Sequence, residues 1–515
     1  MTLVITGLTD NLKVPGGYAQ VNFGQSRVQL SSIALRCQIV GLKATSGGTI
    51  AADLENKRIL NKNDADTYLG AGGEAARMAY AALDECQGLS GFELWACCPA
   101  PAGGATAATC TITVTGTATD VGTIYVWIGK DMVEVTIANG DAQNSVATKI
   151  DSAIKAHTNY ARFFAGSGVA TNVVTETHRS AGIRGNQSVL YVDFSKAPGV
   201  TLALGGAGSA ITTGSSTLLG RYFGGGAGTE TLTNIFSLLF PVRNHFLAVA
   251  QNDATSLGLW KAQLDLKAAA LEGRREHMVM ATNGTFGAAT SLSQSTVNNA
   301  RVSHKWLEAS ESQPCEITAA VACLRAATEG TEPNSAYDDY PYRTIVPQRV
   351  QTFWVGSITA KQAALDVGVS PLISGTDGIV RECRAITTRC MNGSTPDYRT
   401  LDDADAYVPD YMADRILNVY STEVKPAMKY VQPNPGPNEP ELSAQVLSPD
   451  RWTPRVIREM QDAQKENILT QTGDDSASSE YNYVANRIMT AMNVIRMPHN
   501  HQVGISVNQL NVSAL

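Results

Sequence analysis

The chain has 515 residues and a formal net charge of −7, with 43% hydrophobic and 17% charged residues. Its length predicts about three or four domains rather than one. The acidic balance argues against nucleic acid as the main partner, because phosphate binding needs a basic surface. The sequence has neither an apolar run long enough to cross a membrane nor a basic segment followed by a long apolar core. We therefore expect no membrane insertion and no signal peptide.

The cysteines indicate a reducing compartment. There are nine of them, an odd number, and no two have CxxC spacing. We therefore expect reduced, mostly buried thiols and no disulfide framework. We also expect no metal site and no cofactor.

The amino-terminal segment contains one strand pattern with no hairpin partner nearby. It begins at Tyr18, and Ala19, Val21 and Phe23 share one face at strand period. An unpaired strand leaves backbone donors and acceptors unsatisfied. Two interpretations stay open: the strand pairs within its own domain, or it adds to a sheet in a neighbouring subunit.

The following segment mixes apolar strand patterns with helical ones. We predict strands at 36–41 and 92–97, and helices at 63–70 and 73–85. The second helix is rich in alanine, the strongest helix former.

From about residue 107 the sequence becomes rich in Thr, Val and Ile. Alternating apolar residues predict strands at 110–115, 124–128 and 133–137, the last two forming a hairpin. Asp141 is predicted to cap a helix with an apolar residue at every fourth position. Stretches rich in Gly, Ala and Ser at 101–107 and 205–216 are typical of the seams of an inserted domain.

From about residue 218 strand and helix patterns alternate. Strands are predicted at 246–250 and 278–281, and helices at 260–271, 317–326 and 359–365. This order implies an α/β layer with a largely parallel sheet.

Two helices are predicted near the carboxyl end. The first runs from Tyr411 to Val424 and is halted by Pro426. The second runs from Thr453 to Leu469, with the threonine as N-cap and a proline at the first helical position.

A second strand pattern without a local partner follows these helices. Val503, Ile505 and Val507 share one face, and the alternation then slips before Leu510 and Val512. This slip predicts a bend or bulge.

The order of short motifs along the chain resembles that of the Mu-like contractile tail sheath proteins, the tail sheath subtilisin-like domain family. The matching segments are Pro15–Val21, Ile39–Gly41, Asn63–Ala65, Leu69–Gly73, Thr111–Thr119, Gly224–Thr229, Asp377–Thr388, Gly393, Pro396–Tyr398 and Leu401–Asp402. Together they extend over nearly the whole chain.

The resemblance implies a multidomain fold of α/β and α+β type. It would combine a subtilisin-like α/β middle layer, an inserted β-rich domain and an α+β carboxyl-terminal domain with extended terminal arms. The implied division is an N-terminal arm at 1–30, a core at 31–106 and 216–379, an inserted outer domain at 107–215, an inner domain at 380–500 and a C-terminal arm at 501–515.

The same resemblance implies a structural role without enzymatic activity. The subunit would polymerise around a tail tube and contract to drive the tube through the host envelope, as part of a virion tail assembled in the host cytoplasm. The implied partners are other copies of the chain, the tail tube protein, and baseplate and tail terminator proteins. The intersubunit strands would be those at 18–23 and 503–512.

The helix predicted from Thr453 offers a candidate surface for the tube. Arg455, Arg458 and Lys465 could face an acidic tube, but an ordinary surface helix explains the same residues equally well.

Two alternatives remain. A tailocin or another contractile injection system would need the same kind of sheath. A subtilisin-like hydrolase belongs to a different class, and it needs a serine, a histidine and a carboxylate in one constellation. None of the seven histidines or the serines lies in a motif typical of such enzymes, so we expect no catalytic residues.

Overall fold

The computed structural model describes residues 34–269, 272–349, 357–375, 377–437, 439–470, 477–483 and 487–499. The predicted terminal strands, at 18–23 and 503–512, lie outside these residues.

Strands dominate the first half of the described chain. In chain order, the elements are β1 (Leu35–Val40), β2 (Asn56–Arg58), α1 (Lys62–Ala65), a π-helical turn (Asp66–Gly70), α2 (Glu74–Glu85), β3 (Phe92–Cys97), β4 (Ala107–Gly116), β5 (Gly122–Ile128), β6 (Asp131–Ile137), α3 (Gln143–Ala156), a 3₁₀ turn (Tyr160–Arg162), β7 (Ala165–Ala170), β8 (Val173–Ala181), a 3₁₀ turn (Ile183–Gln187), β9 (Val189–Lys196), β10 (Val200–Gly205), β11 (Ala210–Ile211) and β12 (Leu218–Tyr222).

Helices and strands alternate in the second half. The elements are α4 (Thr233–Leu239), β13 (Phe246–Val249), α5 (Ala254–Ala268), β14 (His277–Thr282), α6 (Phe286–Thr290), a π-helical segment (Ser291–Val297), β15 (Val302–Trp306), α7 (Pro314–Thr328), β16 (Pro341–Tyr342), α8 (Ile358–Asp366), β17 (Ser370–Ser374), β18 (Val380–Glu382), β19 (Met391–Asn392), β20 (Thr395–Pro396), α9 (Asp403–Val419), a π-helical turn (Tyr420–Val424), α10 (Lys425–Ala427), β21 (Tyr430–Val431), β22 (Val446–Leu447), α11 (Pro449–Lys465), β23 (Ala477–Asn482) and β24 (Arg487–Met492).

A nine-stranded sheet forms the centre of the molecule, in the order β16-β18-β17-β15-β14-β13-β1-β3-β2. The strands from β17 to β3 run parallel to one another. Helices α2 and α7 pack on one face, and α4 and α5 pack on the other. Strands covered on both faces read as continuous apolar runs, as Phe246–Val249 does. The predicted α/β layer with a largely parallel sheet is confirmed.

The inserted segment forms a smaller unit with its own core. Two antiparallel sheets, β10-β4-β8-β7 and β11-β12-β9-β5-β6, enclose this core together with α3. The predicted hairpin is confirmed as β5 and β6. The chain enters and leaves this unit side by side, because Thr106 pairs with Ala227 and Thr109 with Gly224. We call the segment from 107 to 222 the inserted module.

The predicted cap of α3 is wrong by one residue. Ala142 occupies the N-cap position, and no side chain caps this helix. Asp141 instead accepts hydrogen bonds from the Ala138 amide and the Ser145 hydroxyl, which stabilise the turn before the helix.

Both predicted carboxyl-terminal helices begin earlier than expected. Helix α9 starts at Asp403 rather than Tyr411, because Asp402 and Asp405 form a capping box and the helix continues through Pro409. Helix α11 starts at Pro449 rather than Thr453, with Ser448 as N-cap, so Pro454 lies inside it. The two helices share one apolar core, which includes Val408, Met412, Val456 and Met460.

All nine cysteines are free thiols, eight of them buried and Cys383 partly exposed. Among the described residues, no helix combines the length and the apolar character that crossing a bilayer requires.

Candidate functional site

The carboxyl edge of the central sheet is the first place to look for a ligand site, because open α/β sheets bind ligands there. In this chain the edge is occupied by Arg184 of the inserted module. Its guanidinium donates to Glu74 at the start of α2, at 2.7 and 2.8 Å, and to Glu230 at 3.0 Å. All three side chains are at least 95% buried. An internal ion cluster therefore lies where a ligand would bind.

Hydrogen bonds extend this contact along the sheet edge. Gln187, in the same 3₁₀ turn as Arg184, exchanges hydrogen bonds of 3.0 and 2.9 Å with Asn252, which follows β13. Its carbonyl accepts from Asn283, which follows β14, at 2.9 Å. At the start of α7, Gln313 donates to Ser188 at 2.6 Å. The turn and the residue after it thus form hydrogen bonds with the loops that follow β13 and β14 and with the start of α7.

A second buried ion pair lies nearby. Arg77 of α2 donates to Glu316 of α7 at 2.6 Å and to the carbonyl of Arg162 in the inserted module at 3.0 Å. Burial alone would lower the pKa of Arg77, but the charges of Glu316 and Asp131 outweigh burial and raise it. We call the contacts of Arg184 and Arg77 together the module joint. Because its charges are buried and paired, separating the inserted module from the core would leave charges unpaired at high cost.

A row of aspartates on α9 forms a second joint, on the carboxyl-terminal side. Asp403 accepts from Arg325 of α7 at 3.0 Å. Asp410 accepts from Arg301 at 2.9 and 3.0 Å and contacts the His277 ring at 3.2 Å. Burial by itself would raise the pKa of Asp410. The hydrogen bonds and charges of His277 and Arg301 together outweigh burial and lower this pKa to about 2. We call this row, with its basic partners, the α9 joint.

One serine–histidine contact bears on the hydrolase alternative. Ser293 Oγ lies 2.6 Å from His304 Nδ1, and Thr282 Oγ1 lies 2.7 Å from His304 Nε2. A hydrolase would have a carboxylate where this threonine lies. Ser293 and His304 are both completely buried, and burial lowers the pKa of His304 to about 3. The contact therefore lacks both the orienting carboxylate and access for a substrate.

Within the part of the chain that the structure describes, no three His, Cys, Asp or Glu side chains are arranged to hold a metal ion.

The three basic residues singled out in the sequence lie on helix α11. Arg458 and Lys465 are exposed and Arg455 is half-buried. Lys465 pairs with Asp462 at 3.1 Å. Neither arginine forms an ion pair with a described residue, whereas Glu459 and Glu466 are both paired with Arg415. Among the described residues, Arg455 and Arg458 therefore have no acidic side chain within ion-pair distance.

A two-stranded sheet close to the carboxyl end was not predicted. Strands β23 and β24 pair over six residues each, from Ala477 opposite Met492 to Asn482 opposite Arg487. Among the described residues, neither strand has a further partner strand. Trp452 of α11 donates to Thr490 at 2.9 Å and thereby ties the hairpin to the helix. We call this feature the terminal hairpin.

The most highly connected residues were also missed. Arg184 and Arg496 stand alone in the sequence, and their carboxylate partners lie 46 to 110 residues away. Only the Asp402–Asp405 spacing, typical of a capping box, gave a local signal. The intersubunit residues predicted in the two arms lie outside the described residues.

No protein-family profile matches the chain, and no curated protein is similar to it. Among solved structures it is similar to a sheath tail protein of Desulfitobacterium hafniense, with 14% identity and a TM-score of 0.45 over 90% of this chain and 93% of that one. A sheath tail protein of Listeria innocua has 11% identity and a TM-score of 0.47, over 91% and 93%. The contracted sheath of an extracellular contractile injection system is also similar, with 10% identity and a TM-score of 0.40, over 56% of this chain and 77% of that one.

Proposed function

We propose that this chain is a structural subunit of a contractile tail sheath, which polymerises around a tail tube and contracts to drive the tube through a host envelope. The order of family-like motifs supports this proposal. The observation that carries it is the terminal hairpin, a two-stranded sheet whose outer edges have no described partner strand.

The hairpin is suited to accept further strands. An isolated two-stranded sheet is at best marginally stable in water. One face of this one packs on the carboxyl-terminal core through Ala477, Ile488 and Met492. An added strand would need apolar residues at every second position on that face, and both predicted arms have this pattern. Strand addition between copies would then link neighbouring subunits.

The proposal includes the division into domains given by the sequence. The inserted domain at 107–215 would lie outside, the domain at 380–500 inside, and Arg455, Arg458 and Lys465 would face the tube. The buried charges of the module joint support motion of the inserted module and the core as one rigid body. Tail tube, baseplate and terminator proteins would be the partners in a virion tail assembled in the host cytoplasm. A tailocin would use the same subunit.

No enzymatic step belongs to this function. The α/β layer would be subtilisin-like in its arrangement only. Two observations support this: Arg184 fills the carboxyl edge of the sheet, and the Ser293–His304 contact is buried without a carboxylate. Contraction would draw on better packing of the contracted state, summed over many subunits, rather than on a bound nucleotide.

Electron microscopy of the purified protein tests this proposal. We expect the full chain to form tubular sheaths, and a chain ending at His501 to stay soluble and folded without forming them. A chain ending at Val512 is the matched control, because it loses three residues and keeps the alternating strand. Normal sheaths from the chain ending at His501 would contradict the role of strand exchange. Failure of the full chain to assemble at any concentration would contradict the function itself.

A further inference from the structure

The segment that follows the terminal hairpin is held tightly by the body of the protein. The Thr470 amide donates to the Ile495 carbonyl at 2.9 Å, and the Met497 amide donates to the Ile468 carbonyl at 3.0 Å. Asn334, in the loop after α7, donates to the Met497 carbonyl at 3.0 Å. The chain is therefore fixed just before the predicted C-terminal arm.

Arg496 makes the strongest contacts of this segment. Its guanidinium donates to Asp405 at 2.7 Å and to Asp402 at 2.8 Å. The side chain is only 11% exposed. Hydrogen bonds between charged groups in such a setting are stronger than neutral ones. Arg496 thus reaches the first turn of α9, which belongs to the α9 joint.

The start of β1 lies close to the same loop after α7. Leu35, the first residue of β1, lies beside Gly330: a Cβ added to this glycine would be 3.5 Å from the leucine Cγ. Gly330 lies only four residues before Asn334, in the loop that follows α7. In the α9 joint, Arg325 near the end of α7 binds Asp403. The loop after α7 therefore lies beside both the start of β1 and the described segment that precedes the predicted C-terminal arm.

We propose that Arg496 is a positioning residue, which clamps the start of the C-terminal arm to α9 so that both arms leave the body together beside the end of α7. In a sheath, this clamp would fix the direction from which an arm reaches its neighbour. It would also carry load from the arm to the central sheet instead of to the terminal hairpin. The inference rests on the proposed function for its role in assembly, but the clamp itself is a property of the single subunit.

Hydrogen exchange of the soluble subunit tests the clamp. In Arg496→Gln, we expect the Thr470 and Met497 amides to exchange about tenfold to a hundredfold faster, since bonds to charged groups are lost. Asp405→Asn should act in the same direction while leaving an oxygen to cap α9. Arg381→Gln is the matched control, because Arg381 pairs with Asp377 instead of with α9. Exchange in both clamp variants equal to that of the unchanged chain would overturn the inference.

Assembly provides a second, separate readout. At equal protein concentration, we expect Arg496→Gln to form at least tenfold less sedimentable sheath than the unchanged chain, while Arg381→Gln forms the same amount. Equal sheath yield from Arg496→Gln, together with faster exchange, would refute the role of the clamp in assembly. If the unchanged chain forms no sheath, the proposed function fails, and the exchange result still decides whether Arg496 clamps the segment.

Discussion

Replacing Glu176 with glutamine probes a carboxyl group buried inside the inserted module. Glu176 lies on β8 and is completely buried. Neither of its carboxylate oxygens has a hydrogen-bond partner among the described residues. The nearby Asp151 takes the available donors, Ser167 and Lys155, at 2.8 Å each. Burial, reinforced by the charge of Asp151, outweighs the influence of Ser167, Lys155 and Arg179, which favour the charged form, and raises the pKa of Glu176 from 4.5 to about 7.

This raised pKa makes the module less stable as the pH rises. Below pH 4.5 the carboxyl is protonated in both the folded and the unfolded chain, so it has no effect. Between pH 4.5 and about 7 the unfolded chain loses a proton that the folded chain keeps, and the free energy of unfolding falls. Above pH 7 the full penalty applies, about 3 kcal/mol for this pKa difference. Glutamine has a similar shape and cannot ionise.

Glu176→Gln should therefore raise the free energy of opening the inserted module by about 3 kcal/mol at pH 8 and change it little at pH 4.5. Hydrogen exchange of amides in β4 and β8 measures this quantity, because these central strands exchange only when the module opens. Glu134→Gln is the control, since Glu134 lies exposed on β6 of the same module. A gain of equal size at both pH values, or a loss at pH 8, would refute the reasoning.

Three further outcomes are expected. Arg184→Gln leaves Glu74 and Glu230 buried without a positive partner, so it should lower the free energy of unfolding, measured by urea denaturation, by about 3–5 kcal/mol. A decrease of less than about 1 kcal/mol would contradict the assignment of a buried joint. A serine-directed fluorophosphonate should not label the protein, and modification of Ser293 detected by mass spectrometry would revive the hydrolase alternative. The double substitution Arg455→Glu and Arg458→Glu should weaken co-assembly with tail tube, and more so at low salt, without shifting the thermal midpoint of the subunit. Unchanged co-assembly would mean that the tail tube does not contact this face of α11.

Local patterns predicted most of the central layer. Strands of the parallel sheet are covered on both faces, so their apolar runs stand out, as at Phe246–Val249. The hairpin of β5 and β6 was predictable because buried and more exposed residues alternate along β6 and along the first part of β5. In these strands the hydrophobic pattern of the sequence coincides with the residues that are buried in the fold.

Prediction failed where two local signals competed. Ser448-Pro449 and Thr453-Pro454 both fit the rule for an N-cap followed by a proline, and only the packing of Trp452 against the hairpin and the core favours the first. For α9, Pro409 lies inside the helix although an internal proline disfavours one, because the Asp402–Asp405 capping box and the buried Val408 stabilise the helix on its amino-terminal side. The candidate site was less predictable still, because Arg184 forms an ion pair with Glu74, which lies 110 residues away in the sequence. No local pattern encodes such a partner.

The paired strands at the base of the inserted module have a consequence for engineering. Because Thr106 pairs with Ala227 and Thr109 with Gly224, the two chain ends left by cutting the module out would already lie a strand spacing apart. A foreign domain whose own termini are close could be grafted across that gap to display cargo. Arg184 of the module neutralises two buried carboxylates of the core, Glu74 and Glu230. A graft would therefore have to supply a positive charge at the same place, or both glutamates would have to be replaced by neutral residues.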